Sequence, residues 1–277
     1  YKKSQKYFPR NFTPEYSSLS VYYGTERKIR LRKALNAPMF AGEDALFDAD
    51  GFLLREKTAL LGQFISDAIN IDSDLKVYKD VNDYSENYRI ESERSSKAEE
   101  LFKEGINSEV LKDLINADLY SYQKEGVRKI IEAGRLLLAD DMGLGKTIQS
   151  IAATEIFVKH FAVSKVLIIC PTSLKYQWKK EIEKFSGRKA IIVEGSISTR
   201  KILYEEKALY KIISYGICLH DQELIDNMNS ELVIIDEAQR IKNWKTKTAQ
   251  AVKKIMSEYT IVLTGTPMEN RIDELHS

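Results

Sequence analysis

The stretch Leu136-Leu137-Leu138-Ala139-Asp140-Asp141-Met142-Gly143-Leu144-Gly145-Lys146-Thr147 decides the fold. Its apolar start reads as a buried strand, its two glycines as a tight turn, and the pattern from Ile148 onward as a helix. A strand, a glycine turn and Lys-Thr at a helix start make a phosphate-binding loop, because backbone N–H groups and the positive end of the helix meet the phosphates. Gly143 and Gly145 permit backbone angles and close approaches that a Cβ would block. Lys146 is expected to reach the β- and γ-phosphates, and the Thr147 hydroxyl to hold Mg²⁺. The general form G-x-x-x-x-G-K-[ST] asks for glycine where Asp140 stands, so the loop needs support from the rest of the chain.

That support comes from the alternation around it. Apolar runs suited to buried strands recur at 136–139, 166–170, 190–193, 211–214, 232–235 and 260–263, with helical patterns between them. Short strands alternating with helices predict an α/β lobe with a mostly parallel sheet covered on both faces. Ligands in such folds sit at the carboxyl ends of the strands.

The second anchor is Leu232-Val233-Ile234-Ile235-Asp236-Glu237-Ala238-Gln239, an apolar strand that delivers two adjacent carboxylates at its end. Asp236 is suited to bind the Mg²⁺ that bridges the β- and γ-phosphates. Glu237 is suited to orient and deprotonate an attacking water. The amide of Gln123 offers both a donor and an acceptor, which matches the edge of adenine. In Val166–Ser173 a strand runs into Pro171-Thr172-Ser173, where Thr172 or Ser173 is expected to cap the next helix and its N–H groups could receive a nucleic-acid phosphate. Lys175, Lys179, Lys180 and Lys184 decorate that helix, partly offset by Glu181 and Glu183. Thr264 and Thr266, after the strand ending at Leu263, can link a γ-phosphate-side network to a nucleic-acid-side surface. Trp178 and Trp244 could stack on bases, although packing roles suit both better.

Composition bounds the alternatives. The 277 residues carry 42 Lys and Arg against 41 Asp and Glu, so a grossly basic nucleic-acid binder is excluded and any such binding must be local. Cys170 and Cys218 lie in apolar contexts, which reads as buried thiols in a reducing, intracellular compartment rather than a disulfide framework. His160, His220 and His276 have no partners at metal-ligand spacing, which argues against zinc. No apolar run is long enough to span a bilayer, so no membrane is expected. The chain opens on Tyr1 and stops at Ser277 inside a helix-like pattern, which reads as a piece of a longer protein.

Residues 1–115 carry no recognisable chemistry and read as an accessory region of mixed α and β structure, with protein partners as one open role. Residues 1–34 are Tyr-rich and basic, and Leu19–Gly24 with Lys28–Arg32 reads as a hairpin whose basic strip is either solvated or nucleic-acid-facing. Residues 53–69 read as an amphipathic helix. Residues 72–94 are poorly periodic. Ser96-Lys97-Ala98-Glu99 has the capping-box form and predicts a helix start, and Ser108 predicts another.

Together, Tyr122-Gln123-Lys124-Glu125-Gly126, Asp141-Met142-Gly143-Leu144-Gly145-Lys146-Thr147, Pro171-Thr172-Ser173-Leu174 with Trp178, Ile213-Ser214-Tyr215, Asp236–Asn243 and Leu263-Thr264-Gly265-Thr266-Pro267 with Asn270 resemble the Snf2 family of helicase-like superfamily 2 ATPases. The resemblance covers about residues 116–277. It implies a RecA-like lobe that binds ATP and Mg²⁺ and one face of double-stranded DNA, in a motor that translocates on the duplex. It assigns adenine to Gln123, the phosphates to Gly143, Gly145 and Lys146, the metal to Thr147 and Asp236, and water activation to Glu237. It assigns DNA contact or coupling to Pro171, Thr172, Ser173, Ser214, Tyr215, Gln239, Thr264 and Thr266. Aspartate at position 140 is ordinary in that family, while Gln239 stands where many members have histidine. The family also uses a second RecA-like lobe that supplies an arginine finger, and this chain ends before it; the 277 residues alone are expected to be nearly inactive. Rival readings are another superfamily 2 motor, such as a restriction-complex translocase or an RNA helicase, and a non-catalytic interaction module switched by nucleotide. Leu-Thr-Gly-Thr-Pro argues against the RNA helicases, and the intact Lys146, Thr147, Asp236 and Glu237 argue against the switch.

Overall fold

The computed structural model describes residues 17–23, 27–34, 37–141, 143–241, 243 and 246–265. Met142, Lys242, Trp244, Thr266, Pro267, Asn270 and the basic residues before Ser17 lie outside them. The chain divides into two compact units, 1–93 and 94–277.

In the first unit, β1 (Ser18–Tyr23) and β2 (Arg27–Arg32) form the expected antiparallel hairpin, with Leu19 opposite Leu31 and Val21 opposite Ile29. This pairing places four apolar side chains on one face, where Phe40, Leu61 and Phe64 complete a small core. Part of the basic strip is satisfied locally. The Arg30 guanidinium lies 4.9 Å from the Phe52 ring centre, and Lys33 Nζ is 2.6 Å from Glu43 Oε1. A four-residue helix α1 (Glu43–Leu46) precedes a 3₁₀ segment, Arg55–Leu60, that leads into α2 (Leu61–Ile71). Only the later part of the helix expected over 53–69 is therefore α-helical. A two-residue strand β3 (Lys76–Val77) joins β1 in parallel.

Two expectations fail after it. One 23-residue helix, α3 (Lys79–Leu101), runs through the poorly periodic segment and past Ser96, so Ser96 starts nothing. Its polar sequence hides the periodicity, since few of its side chains are buried. Ser108 does not cap a helix either; its hydroxyl accepts from the Glu104 N–H at 3.1 Å beside a 3₁₀ turn. Ala98, Phe102, Leu111, Leu114 and Ile115 pack into the main core of the second unit. The packing boundary, at 93/94, therefore falls earlier than the 115/116 boundary drawn from sequence.

The second unit is a six-stranded, wholly parallel sheet flanked by helices on both faces. Its strands are β4 (Arg135–Leu138), β5 (Val166–Cys170), β6 (Ala190–Ile192), β7 (Tyr210–Ser214), β8 (Leu232–Ile235) and β9 (Tyr259–Leu263), in the order β4-β9-β8-β5-β7-β6. Alternate side chains go to opposite faces. Val166, Ile168, Cys170, Leu232 and Ile234 join one core with α4 (Ser121–Ala133), α5 (Lys146–His160) and α6 (Lys175–Ser186). Leu167, Ile169, Val233 and Ile235 join the other, with α7 (Ile197–Glu205), α8 (Tyr215–His220), α9 (Gln222–Met228) and α10 (Lys247–Lys253). Burial on both faces is why these strands read as continuous apolar runs rather than alternating ones.

The register sets up everything that follows. Leu138 pairs with Leu263, Val262 with Ile235, Ile235 with Ile169, and Cys170 with Ser214. Five strands thus end in line, and their exit loops share one rim.

Both cysteines are buried, and burial pushes each thiol up to about 12. Because only the thiolate reacts, a disulfide-exchange reagent at pH 8 should label neither in the native chain and both after denaturation. Rapid labelling of the native protein would contradict this packing.

Candidate nucleotide site at the strand ends

The loop between β4 and α5 is shaped by two left-handed glycines, Gly143 with φ +89° and Gly145 with φ +77°. At Gly145 the need is also steric, since a Cβ there would lie 2.5 Å from Gln123 Nε2. Lys146 Nζ donates to the Asp140 and Asp141 carbonyls at 2.7 and 3.0 Å, so its ammonium lies over the loop's own backbone. Thr147 follows in the first turn of α5 and is half-buried.

Gln123 is buried, and both ends of its amide are used inside the fold. Its Oε1 accepts from the Tyr120 N–H at 3.0 Å, and its Nε2 donates to the Leu144 carbonyl at 3.3 Å. It therefore ties the start of α4 to the loop. Tyr120 and Tyr122 are exposed beside it, with rings stacked 5.8 Å apart.

Two strands away, Asp236 leaves β8 with a buried carboxylate whose oxygens are both engaged. Oδ2 accepts from Trp178 Nε1 and Oδ1 from the Glu237 N–H, each at 2.8 Å. The Tyr215 hydroxyl donates to the Asp236 carbonyl at 2.5 Å. Burial raises the Asp236 pKa above the usual carboxylate value; the Trp178 and Glu237 hydrogen bonds and the Lys146 charge pull it down. The loop and Asp236 share one rim of the sheet, and Lys146 is among the charges acting on this carboxylate.

Glu237 adopts φ +54°, rare for a residue with a side chain. Its Oε2 accepts from Gln239 Nε2, and Gln239 Oε1 in turn accepts from the Thr264 hydroxyl at 3.0 Å. Thr264 is fully buried, and its N–H donates to the Leu138 carbonyl at 3.2 Å, the last residue of β4. A side-chain relay thus runs from the second acid, across β9, to the strand that carries the loop.

The remaining sequence candidates are spread along the rim. Pro171 is buried, whereas Thr172 and Ser173 are exposed in a 3₁₀ turn, Thr172–Leu174. Neither hydroxyl caps α6, contrary to expectation; the 3₁₀ turn leads straight into the helix without a side-chain cap. Lys175, expected on the helix surface, is buried and pairs with Glu194, which also accepts from the Tyr176 hydroxyl at 2.6 Å. Ser214 is buried and caps α8 by accepting the Ile217 N–H at 3.3 Å. Tyr215 points inward to Asp236, and Trp178 is core rather than a base-stacking surface. Thr266 lies outside the described residues. Sequence reasoning missed Gln149, which is fully buried under the loop. Gln149 stands among Thr147, Ile148 and Ser150 at the start of α5, a mixed setting that gave no clear signal of its burial.

Hard oxygen donors suit Mg²⁺, which is usually held by one or two carboxylates together with substrate phosphates. The chemistry of Thr147 and Asp236 fits that ion. Among the described residues no group of three His, Cys, Asp or Glu side chains could hold a metal unaided.

The comparisons agree with this architecture. The SNF2-related domain family matches residues 122–277, more than half of the chain. The chain belongs to that family. The Sulfolobus solfataricus SWI2/SNF2 ATPase core, solved in complex with dsDNA, superposes with a TM-score of 0.53 at 36% identity, covering 58% of this chain and 35% of that one. An uncharacterized ATP-dependent helicase of Mycoplasma pneumoniae is 39% identical over 166 residues, which is 57% of this chain and 16% of the relative. The human TATA-binding protein-associated factor 172 is 34% identical over 184 residues, 59% of this chain and 10% of the relative. The chain thus spans a small part of the SNF2-related proteins it matches, and the match falls on the six-stranded unit.

The Trp178–Asp236 bond gives a pH-dependent test. Trp178→Phe removes a donor that favours the ionised carboxylate, a bond worth about 1.5–3 kcal/mol when charge-assisted. Protonated Asp236 needs that donor less. The destabilisation measured by urea unfolding should be largest at pH 7–8 and shrink as acid is added through the raised pKa of Asp236. A penalty constant from pH 8 to pH 4 would mean that the indole contributes packing alone.

Proposed function

We propose that this chain is the ATP-binding lobe of a Snf2-type motor that translocates on double-stranded DNA and remodels what is bound to it. The observation that carries the reading is the relay Glu237–Gln239–Thr264, anchored to the end of β4, in a site where Lys146 and Asp236 already share one electrostatic field. In this reading the loop N–H groups and Lys146 bind the triphosphate. Thr147 and Asp236 hold Mg²⁺, which when bound neutralises phosphate charge. Glu237 orients the attacking water and accepts its proton. The relay gives the acid a fixed orientation and a path to the Thr264 end of β9, and on the same rim, after β5, Thr172 and Ser173 stand exposed for a DNA backbone. The dsDNA complex of the Sulfolobus relative supports that partner.

Gln123 supports adenine selection in a particular way. Its acceptor and donor are engaged with Tyr120 and Leu144, so binding the base edge exchanges those two bonds.

The lobe is half of the machine. A second RecA-like lobe, joined after this one, supplies the arginine worth about 10³–10⁵ in turnover in phosphoryl transfer. An intracellular setting, with protein partners reached through residues 1–115, completes the proposal.

A steady-state ATPase assay tests it. These 277 residues alone should turn over almost no ATP, with or without duplex DNA, whereas the chain extended by a second lobe should be stimulated by duplex DNA and not by single-stranded RNA. In that longer protein Lys146→Ala should lose nucleotide binding. Glu237→Gln should still bind Mg·ATP and lose hydrolysis by at least about a hundredfold, the usual scale of a general base. Normal turnover by Glu237→Gln would remove the base assignment, and nucleotide binding without turnover in the longer protein would favour the non-catalytic switch.

A further inference from the structure

Gln149 has no part in the site as described so far, yet it sits behind the phosphate loop, one turn into α5 and fully buried. Its Nε2 donates to Asp140 Oδ2 at 3.0 Å and to the Leu144 carbonyl at 3.4 Å. Gln123 Nε2 donates to that same carbonyl at 3.3 Å. Two side-chain amides from two helices thus converge on one main-chain oxygen. The remaining polar atom, Gln149 Oε1, is buried without a hydrogen-bond partner among the described residues. It occupies the space beside Gly126 that a Cβ would overlap. An unpaired buried acceptor is a standing cost that an apolar side chain of the same shape would avoid. The amide is therefore kept for its donor.

Peptide geometry says what the donor does. The Leu144 carbonyl and the Gly145 N–H belong to one planar trans peptide and point in opposite directions. Holding the carbonyl toward the two amides turns the Gly145 N–H away from them. The second contact, to Asp140, fixes the other end of the same turn.

We propose that Gln149 is a positioning residue for the triphosphate. It pins the Leu144–Gly145 peptide so that the Gly145 N–H is presented to a phosphate oxygen, beside Gln123 before the base binds and alone once the base has drawn the Gln123 amide away, and Gly126 is glycine because any side chain there displaces the Gln149 amide. The proposal rests on the nucleotide-binding reading and goes beyond it, since Gln149 itself touches no nucleotide.

The test uses the whole chain as wild type, Gln149→Met, Gly126→Ala and the double variant. Methionine keeps the length of the side chain and removes its donors. Titration with a fluorescent ATP analogue and Mg²⁺ should show each single variant weakened about tenfold, the scale of one or two lost hydrogen bonds. The double variant should be no weaker than Gln149→Met alone, because Gly126→Ala acts by displacing an amide that is already gone. In nucleotide-free protein the Gly145 amide resonance should move in Gln149→Met, while amides at the far end of the sheet stay in place. This readout needs neither nucleotide nor a folded Gly126→Ala. Wild-type affinity in Gln149→Met, an unmoved Gly145 amide, or additive losses in the double variant would overturn the proposal alone. Failure of the wild type to bind Mg·ATP would overturn the nucleotide reading and the proposal with it.

Discussion

A buried carboxylate cannot be left alone, and the Asp236 site shows what holding one requires. Ionised Asp236 at the end of β8 must be compensated in a place that water scarcely reaches. An indole N–H takes one oxygen and the following backbone N–H takes the other. The backbone bond belongs to Glu237, the residue forced into the left-handed region. With that φ the Glu237 carboxylate meets Gln239 and, through it, Thr264. Backbone strain at one residue and the solvation of its neighbour's charge are therefore parts of one arrangement. Burial still raises the Asp236 pKa, so the compensation is incomplete and a cation beside it would be welcome.

The phosphate loop has the opposite polarity and the same logic. Lys146 spends two of its three donors on carbonyls of the loop that carries it. Those are neutral acceptors. A phosphate oxygen offers a charge-assisted bond, roughly twice as strong. The exchange is favourable without any large movement of the sheet, because the ammonium already lies over the loop. The parallel register makes this possible: strand ends in line bring a cationic turn and an anionic turn to the same rim, though ninety residues of chain separate Lys146 from Asp236.

The sheet was legible in the sequence because buried parallel strands write themselves as apolar runs, and 166–170 and 232–235 were placed to the residue. The candidate site residues were singled out for a different reason: Lys146, Asp236 and Glu237 follow strand ends, where function is looked for. What failed were inferences from polar residues. Ser96 has a capping-box sequence inside an unbroken helix, and Thr172 and Ser173 have ideal capping side chains that cap nothing. A hydroxyl can always be satisfied by water, so its presence constrains little. Lys175 misled in the other direction, because its buried ammonium is paired with Glu194, nineteen residues away in the loop after β6.

Trp178, Tyr215, Gln123 and Gln149 show why the supporting groups are hardest to read. In this structure each is engaged with a neighbour: an indole with Asp236, a phenol with its carbonyl, two amides with Leu144. Nothing in their side-chain chemistry announces this, since tryptophan and tyrosine suit any core and glutamine suits any surface. Only three-dimensional proximity gives them their task, and proximity here comes from packing of α4, α5 and α6 on one side of the sheet and of α8 on the other. Removing a front group such as Lys146 deletes a contact, whereas removing a rear group releases the contact's geometry. A shift of about 1 Å in a reacting group can cost a hundredfold in rate, so the rear groups can matter as much as the front ones while leaving no motif that chemistry alone would single out.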